Sequence, residues 1–273
     1  MKRSPKQNLS IFFFAAILAY LTLIAHLYIR QRHYIFPVTG HPGPTSFGGM
    51  KPIHILTSDG LTLSGWYKAA SDSRKPVMII FPGQGDGIDG LYPVMIQPYV
   101  EHGYGVLLAI YRGYSGNPGE PSENGLYTDA RSYLSWLTEN GVSDSKIILY
   151  GQSLGAAIAI QMATENPKCR AIILESPFES MTAMARVHYP FIPIDILLKD
   201  RFDSISKISN VKLPLFEFFG DKDTTVPNEQ ERKIFDKAAG LKKLEVVHGA
   251  NHFDVGRRDV APKVIAFIDS LKP

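Results

Sequence analysis

The sequence predicts an α/β protein: a mostly parallel, eight-stranded sheet with helices on both faces and a small helical lid, preceded by one N-terminal transmembrane helix. Three observations carry this. Short, almost wholly apolar runs alternate with helical patterns from residue 77 onward, which is how parallel strands covered on both faces read. One of those runs, Lys146 to Tyr150, leads directly into Gly151-Gln152-Ser153-Leu154-Gly155 and an Ala-rich helix. Finally, the stretch from Leu9 to Ile29 contains no Asp, Glu, Lys or Arg.

That stretch rises about 1.5 Å per residue and so spans about 30 Å, the thickness of a bilayer's hydrocarbon layer. Lys2, Arg3 and Lys6 precede it, Arg30 and Arg32 follow it, and Tyr20 and Tyr28 suit an interface. It is too long for the apolar part of a secretory signal, and no small-x-small cleavage site follows before the basic pair. Residues 1–30 are therefore expected to form an uncleaved membrane anchor. The amino-terminal cluster places that end inside, which puts residues 51–273, the body of the chain, on the non-cytoplasmic side. Residues 31–50 read as a connector rich in Gly and Pro, including Gly40, Pro42, Gly43 and Pro44.

The body opens with strands at Ile53–Thr57 and Leu61–Tyr67, joined across Asp59-Gly60 as a hairpin. Strands follow at Val77–Phe81, Gly105–Ile110, Lys146–Tyr150, Ala171–Leu174, Leu215–Phe219 and Leu244–Val247. Between them lie helices near Leu91–His102, Gly125–Glu139, Leu154–Glu165 and Asn228–Ala239, and the chain closes with a helix over Ala261–Leu271. The alternation pauses over 177–213, where apolar residues such as Met181, Met184 and Ile192 read as a lid over the carboxyl ends of the strands, the place where open α/β sheets bind ligands.

Composition bounds the function. With 45% hydrophobic and 20% charged residues the chain has ample material for one core, and a formal charge of +3 spread without basic runs gives no support for nucleic-acid binding. A single cysteine, Cys169, excludes an internal disulfide. Nothing in the sequence names a protein partner.

Gly-x-Ser-x-Gly between a strand and a helix is the setting of a nucleophile elbow, where a sharp turn exposes the serine hydroxyl and small neighbours avoid collision. Such a serine needs a base and a carboxylate in the order Ser, acid, His. Asp223 follows the Leu215–Phe219 strand, with Asp221 as its neighbouring alternative. Two histidines follow the last strand; His252 is preferred because Gly249-Ala250 lets the chain turn back over the sheet, whereas His248 still belongs to the strand end. Their H-x-x-x-H spacing is not on a helix and has no intervening Glu, so neither a metal nor another cofactor is implied. The oxyanion that forms at an attacked carbonyl needs two amides, expected from Leu154 and, in the loop Pro82-Gly83-Gln84-Gly85-Asp86-Gly87, from Gln84.

These stretches, with Tyr111-Arg112-Gly113-Tyr114 and its continuation to Ala130, Glu175-Ser176-Pro177-Phe178 and Gly220 to Pro227, resemble the α/β-hydrolase superfamily from about Lys51 to Lys272. The chain looks most like membrane-anchored α/β-hydrolase-domain serine hydrolases. The resemblance implies Ser153 as nucleophile, Asp223 as acid, His252 as base, and Gln84 and Leu154 as oxyanion donors, with Glu175 as an alternative acid. It implies cleavage of esters or thioesters of small-molecule or lipid-like acyl substrates. A serine peptidase on the same machinery, related to the serine aminopeptidase type, is the first rival; a non-catalytic binding protein is the second. Two departures stand out: Pro82 where the family usually has His, and Ile110 where it commonly has Asp.

Overall fold

The structure is a computed structural model that describes residues 5–38, 48–84 and 95–272. Lys2 and Arg3, residues 39–47 of the connector, and residues 85–94, with Gly85, Asp86, Gly87 and the helix start expected near Leu91, lie outside the described residues. Helix α1 (Pro5–Ile35) carries the apolar run and continues five residues past Arg30, into the expected connector. Gln31 to Tyr34 contain no helix breaker; the helix stops where Pro37 forces the residue before it out of the helical region. Ile35 and Phe36 are buried in the core.

Eight strands among the described residues form one sheet, in the order β1-β2-β4-β3-β5-β6-β7-β8. β1 (Lys51–Leu56) and β2 (Thr62–Lys68) form the antiparallel hairpin, and β2 pairs antiparallel with β4 (Gly105–Leu108). From β4 onward, β3 (Val77–Phe81), β5 (Ile147–Gln152), β6 (Ala171–Glu175), β7 (Leu215–Gly220) and β8 (Lys242–Val247) run parallel. β3, β4 and β6 are buried at every position, as strands with helices on both faces must be.

Covering the sheet are α2 (Gln97–Glu101), α3 (Glu123–Glu139) and α4 (Leu154–Glu165). α3 starts at Ser122, whose hydroxyl accepts from the Gly125 amide. Between β6 and β7 the lid region contains α5 (Met181–His188), α6 (Ile194–Leu197) and α7 (Ser204–Lys207). α8 (Asn228–Lys237) and α9 (Ala261–Ser270) complete the body. α1 is bolted to the lid: the Gln31 amide donates to the Leu197 carbonyl and accepts from the Lys199 amide. Arg32 pairs with Asp200 at 2.8 Å, and Asp200 in turn accepts from the Glu123 amide that opens α3.

Candidate active site

Because all strands from β3 to β8 point the same way, the loops after β3, β5, β7 and β8 meet at one sheet edge. Ser153 sits between β5 and α4 with φ 51° and ψ −113°, a left-handed turn that an L residue adopts only under constraint. The constraint is visible on both sides. A Cβ on Gly151 would strike the Gly155 carbonyl, and one on Gly155 would strike the Phe81 carbonyl at the end of β3. Ser153 donates its amide to the Glu175 carbonyl at 2.8 Å, tying the elbow to β6.

Gly220 ends β7 against the backbone of Ala250, again with no room for a Cβ, so the loops after β7 and β8 are pressed together. Within them His252 Nδ1 lies 2.7 Å from Asp223 Oδ2, and His252 Nε2 lies 3.1 Å from Ser153 Oγ. The other Asp223 oxygen accepts from the amides of Thr225 and Val226 at 2.8 and 2.9 Å. Burial works against the Asp223 charge. The hydrogen bond and charge of His252, with the two amides, outweigh burial and hold the carboxyl below its ordinary range. The alternatives pair with each other instead: Asp221 Oδ2 lies 3.1 Å from Nδ1 of the exposed His248.

With this geometry in view, three comparisons are informative. A description of the alpha/beta hydrolase fold matches residues 76–195. An uncharacterized protein of Mycobacterium tuberculosis is 34% identical over 237 residues, 85% of this chain and 84% of its own length. The chain belongs to the α/β-hydrolase family. This hydrolase-fold chain is also similar to the lysophosphatidylserine lipase ABHD12 of Danio rerio, 27% identical over 66% of this chain and 51% of that protein. An esterase structure from Pyrococcus furiosus superposes with a TM-score of 0.65 at 21% identity, over 85% of this chain and 97% of that one, a likeness of fold.

In this member of the family Leu154 is the first residue of α4, so its N–H has no carbonyl one turn back to bond. Gly83 passes beside Ser153, the position of an added Cβ lying 3.5 Å from Ser153 Cβ, and Gln84 follows with its side chain donating to the Tyr34 carbonyl of α1 at 3.2 Å. At Pro82, where the family usually has His, the buried Tyr111 hydroxyl donates to the backbone carbonyl at 2.9 Å.

Glu175, the alternative acid, faces Tyr150 and Gln152, accepting at 2.5 and 3.0 Å. Burial pushes its carboxyl above the ordinary range, against those two bonds and the charge of His252. Sequence reasoning missed a second buried carboxyl group, Glu231 on α8. Asn228 donates to it at 2.7 Å, and burial still pushes it up to about 8, with the Asp223 charge adding to the rise. Glu217 on β7 lies fully buried beside it, and neither of its oxygens has a hydrogen-bond partner among the described residues.

Proposed function

We propose that the protein is a serine hydrolase that cleaves carboxylic esters or thioesters, with acyl or lipid-derived substrates, through Ser153, His252 and Asp223. The observation that carries this reading is the continuous chain Asp223–His252–Ser153, with 2.7 and 3.1 Å links, at an elbow strained to expose the hydroxyl. An ionised Asp223 holds the imidazole with its proton on Nδ1 and leaves Nε2 free to accept. Ser153 Oγ attacks the carbonyl carbon as its proton passes to Nε2. The amides of Leu154 and Gln84 receive the oxyanion. Collapse breaks the bond to the leaving alcohol or thiol, which takes the proton from Nε2, and a water activated by the same nitrogen then releases the acid.

The lipase name of the zebrafish relative supports an acyl-lipid substrate class. We read α1 as a single membrane span, with Lys6 and the residues before it inside and the body on the non-cytoplasmic side; added protease digests the body of right-side-out vesicles under this reading.

The deciding experiment labels detergent-solubilised wild type and Ser153→Ala with a fluorophosphonate probe, in competition with short and long acyl esters, acyl thioesters and peptides. Labelling is expected in the wild type, absent in the variant, and suppressed by esters or thioesters. Release of amino acids from peptides faster than ester turnover makes the protein a peptidase. Folded wild type that takes no label makes it a binding scaffold.

A further inference from the structure

We infer that α1 is a wall of the substrate site as well as an anchor: its body-proximal half and the lid enclose a pocket for a single long acyl chain, entered from the membrane leaflet beside the helix. The inference rests on the hydrolase reading of Ser153 given above.

A cavity of ≈ 280 Å³ lies between helix and lid, near the lower end of the range for small-molecule pockets. Leu27 and Ile35 line it from α1, and Met184 and Leu197 from the lid. Its remaining wall includes Gln84 and Thr225, which belong to the loops carrying the candidate oxyanion donor and the candidate acid. The mostly apolar pocket therefore reaches the two loops that flank Ser153 and His252. A carbonyl held at Ser153 would direct its hydrocarbon tail along α1. The wall does not drift: Gln31 and Arg32 hold it to Leu197, Lys199 and Asp200, and Tyr34 accepts from Gln84 itself.

The entrance is set by where the lid meets the helix. The Tyr20 hydroxyl donates to the Phe191 carbonyl at 2.7 Å. Tyr20 lies nine residues before Ile29, the end of the charge-free stretch, which is about 14 Å along a helix. When that stretch fills the hydrocarbon layer, the tip of the lid sits at about mid-depth. The surface of the lid suits that position. Phe191 is 85% exposed and Ile196 81%, which water disfavours and hydrocarbon accepts. A peptide carbonyl in hydrocarbon needs a donor, and Tyr20 supplies one. Arg186 and Asp195 on the lid neutralise one another, while Lys199 lies 4.1 Å over the Tyr28 ring, an arrangement suited to the interface.

The test uses the full chain in phosphatidylcholine nanodiscs. Leu27→Trp from the helix side and Met184→Trp from the lid side each fill the cavity. Each is expected to lower the ratio of p-nitrophenyl palmitate to p-nitrophenyl butyrate turnover at least tenfold, while Leu18→Trp, on the opposite, exposed face of α1, leaves the ratio unchanged. Ratios within twofold of wild type in both cavity variants, in protein that still takes the fluorophosphonate label, overturn the inference. A second readout needs no hydrolysis: a diazirine-bearing palmitic acid is crosslinked to Ser153→Ala. Crosslinks on residues 26–35 and 181–199, lost in Leu27→Trp, support the acyl pocket. Crosslinks confined to other segments refute it even where esters are turned over. Crosslinks at the pocket in a wild type that hydrolyses no ester refute the hydrolase reading alone.

Discussion

Asp223→Asn is the sharpest probe of the proposed chemistry, because the surrounding hydrogen bonds decide how the new side chain must lie. Asp223 Oδ1 accepts two backbone amides, from Thr225 and Val226, while Oδ2 faces His252 Nδ1 at 2.7 Å. An asparagine keeps the two amide bonds only with its carbonyl oxygen at Oδ1, which turns its NH₂ toward His252. Nδ1 must then accept, the ring proton moves to Nε2, and Nε2 can no longer take the proton of Ser153. The flipped asparagine gives up two buried hydrogen bonds at about 1 kcal/mol each and sets an NH₂ against two N–H groups. A total near 3 kcal/mol leaves the productive orientation below about 1%. Turnover is therefore expected to fall between about 10² and 10⁴-fold, the upper figure being the loss known for this substitution in serine-protease triads. Hydrolysis of p-nitrophenyl butyrate measures it, with thermal unfolding to confirm the fold. Asp221→Asn, which disturbs exposed contacts with His248 and the Gly249 amide, should change turnover by less than about threefold. Asp223→Asn turnover within threefold of wild type would refute the assignment of the acid and the tautomer argument together.

Three further outcomes follow from the packing. Gly155→Ala puts a methyl into the Phe81 and Pro82 carbonyls, the latter 2.7 Å from the new carbon. It should cost about 1–3 kcal/mol and displace the elbow, seen as a lower melting temperature with slower fluorophosphonate labelling; an unchanged melting temperature would show that β3 yields freely. Arg112→Met strands Asp129, which is fully buried and loses bonds of 2.8 and 2.9 Å, so urea unfolding should show a loss of about 3–5 kcal/mol, partly recovered in Arg112→Met/Asp129→Asn, which removes the charge and keeps an acceptor for the Arg112 amide. A double variant no more stable than the single one would count against a stranded charge. Glu231, raised by burial from 4.5 to about 8, holds its proton in the native state across that interval while the unfolded chain releases it. The unfolded state then binds fewer protons, so native stability declines as pH rises from about 4.5 to 8, by up to about 1.4 kcal/mol per unit. Glu231→Gln should flatten that decline in urea titrations, whereas parallel curves for the two proteins would contradict it.

The parts of the fold that were legible are those in which one physical demand dominates the sequence. β3 and β6 must be apolar throughout, and Gly151 and Gly155 have no steric alternative, so the elbow was readable from residues alone. That Asp223 and His252 come together was readable because each follows a strand that ends at the same sheet edge. The end of α1 was not legible. Arg30 and Arg32 mark where a membrane would stop, not where a helix stops, and Pro37 is the residue that ends it. The Gln31 clamp leaves no pattern, since its partners in the lid, Leu197 and Lys199, are backbone groups distant in sequence. α6 and α7, four residues each, are too short for a periodic signal. Glu217 and Glu231 look like surface residues in the sequence, and only the packing of α8 against β7 reveals them as buried. The bond from Tyr111 to Pro82 depends on two loops meeting and has no local signature.

The joint at Gln31 and Arg32 makes α1 a strut, with no swivel between it and the body. The axis of the helix and the edge of the sheet that carries Ser153 keep one relative orientation, through bonds that run from α1 to Asp200 and on to the first turn of α3. With α1 in a bilayer, Ser153 stands at a set height and tilt over the lipid. A soluble hydrolase must lose its tumbling and find the right approach at each encounter with an interface; in the membrane-anchored hydrolase proposed above, that orientational entropy is lost once, when the chain folds.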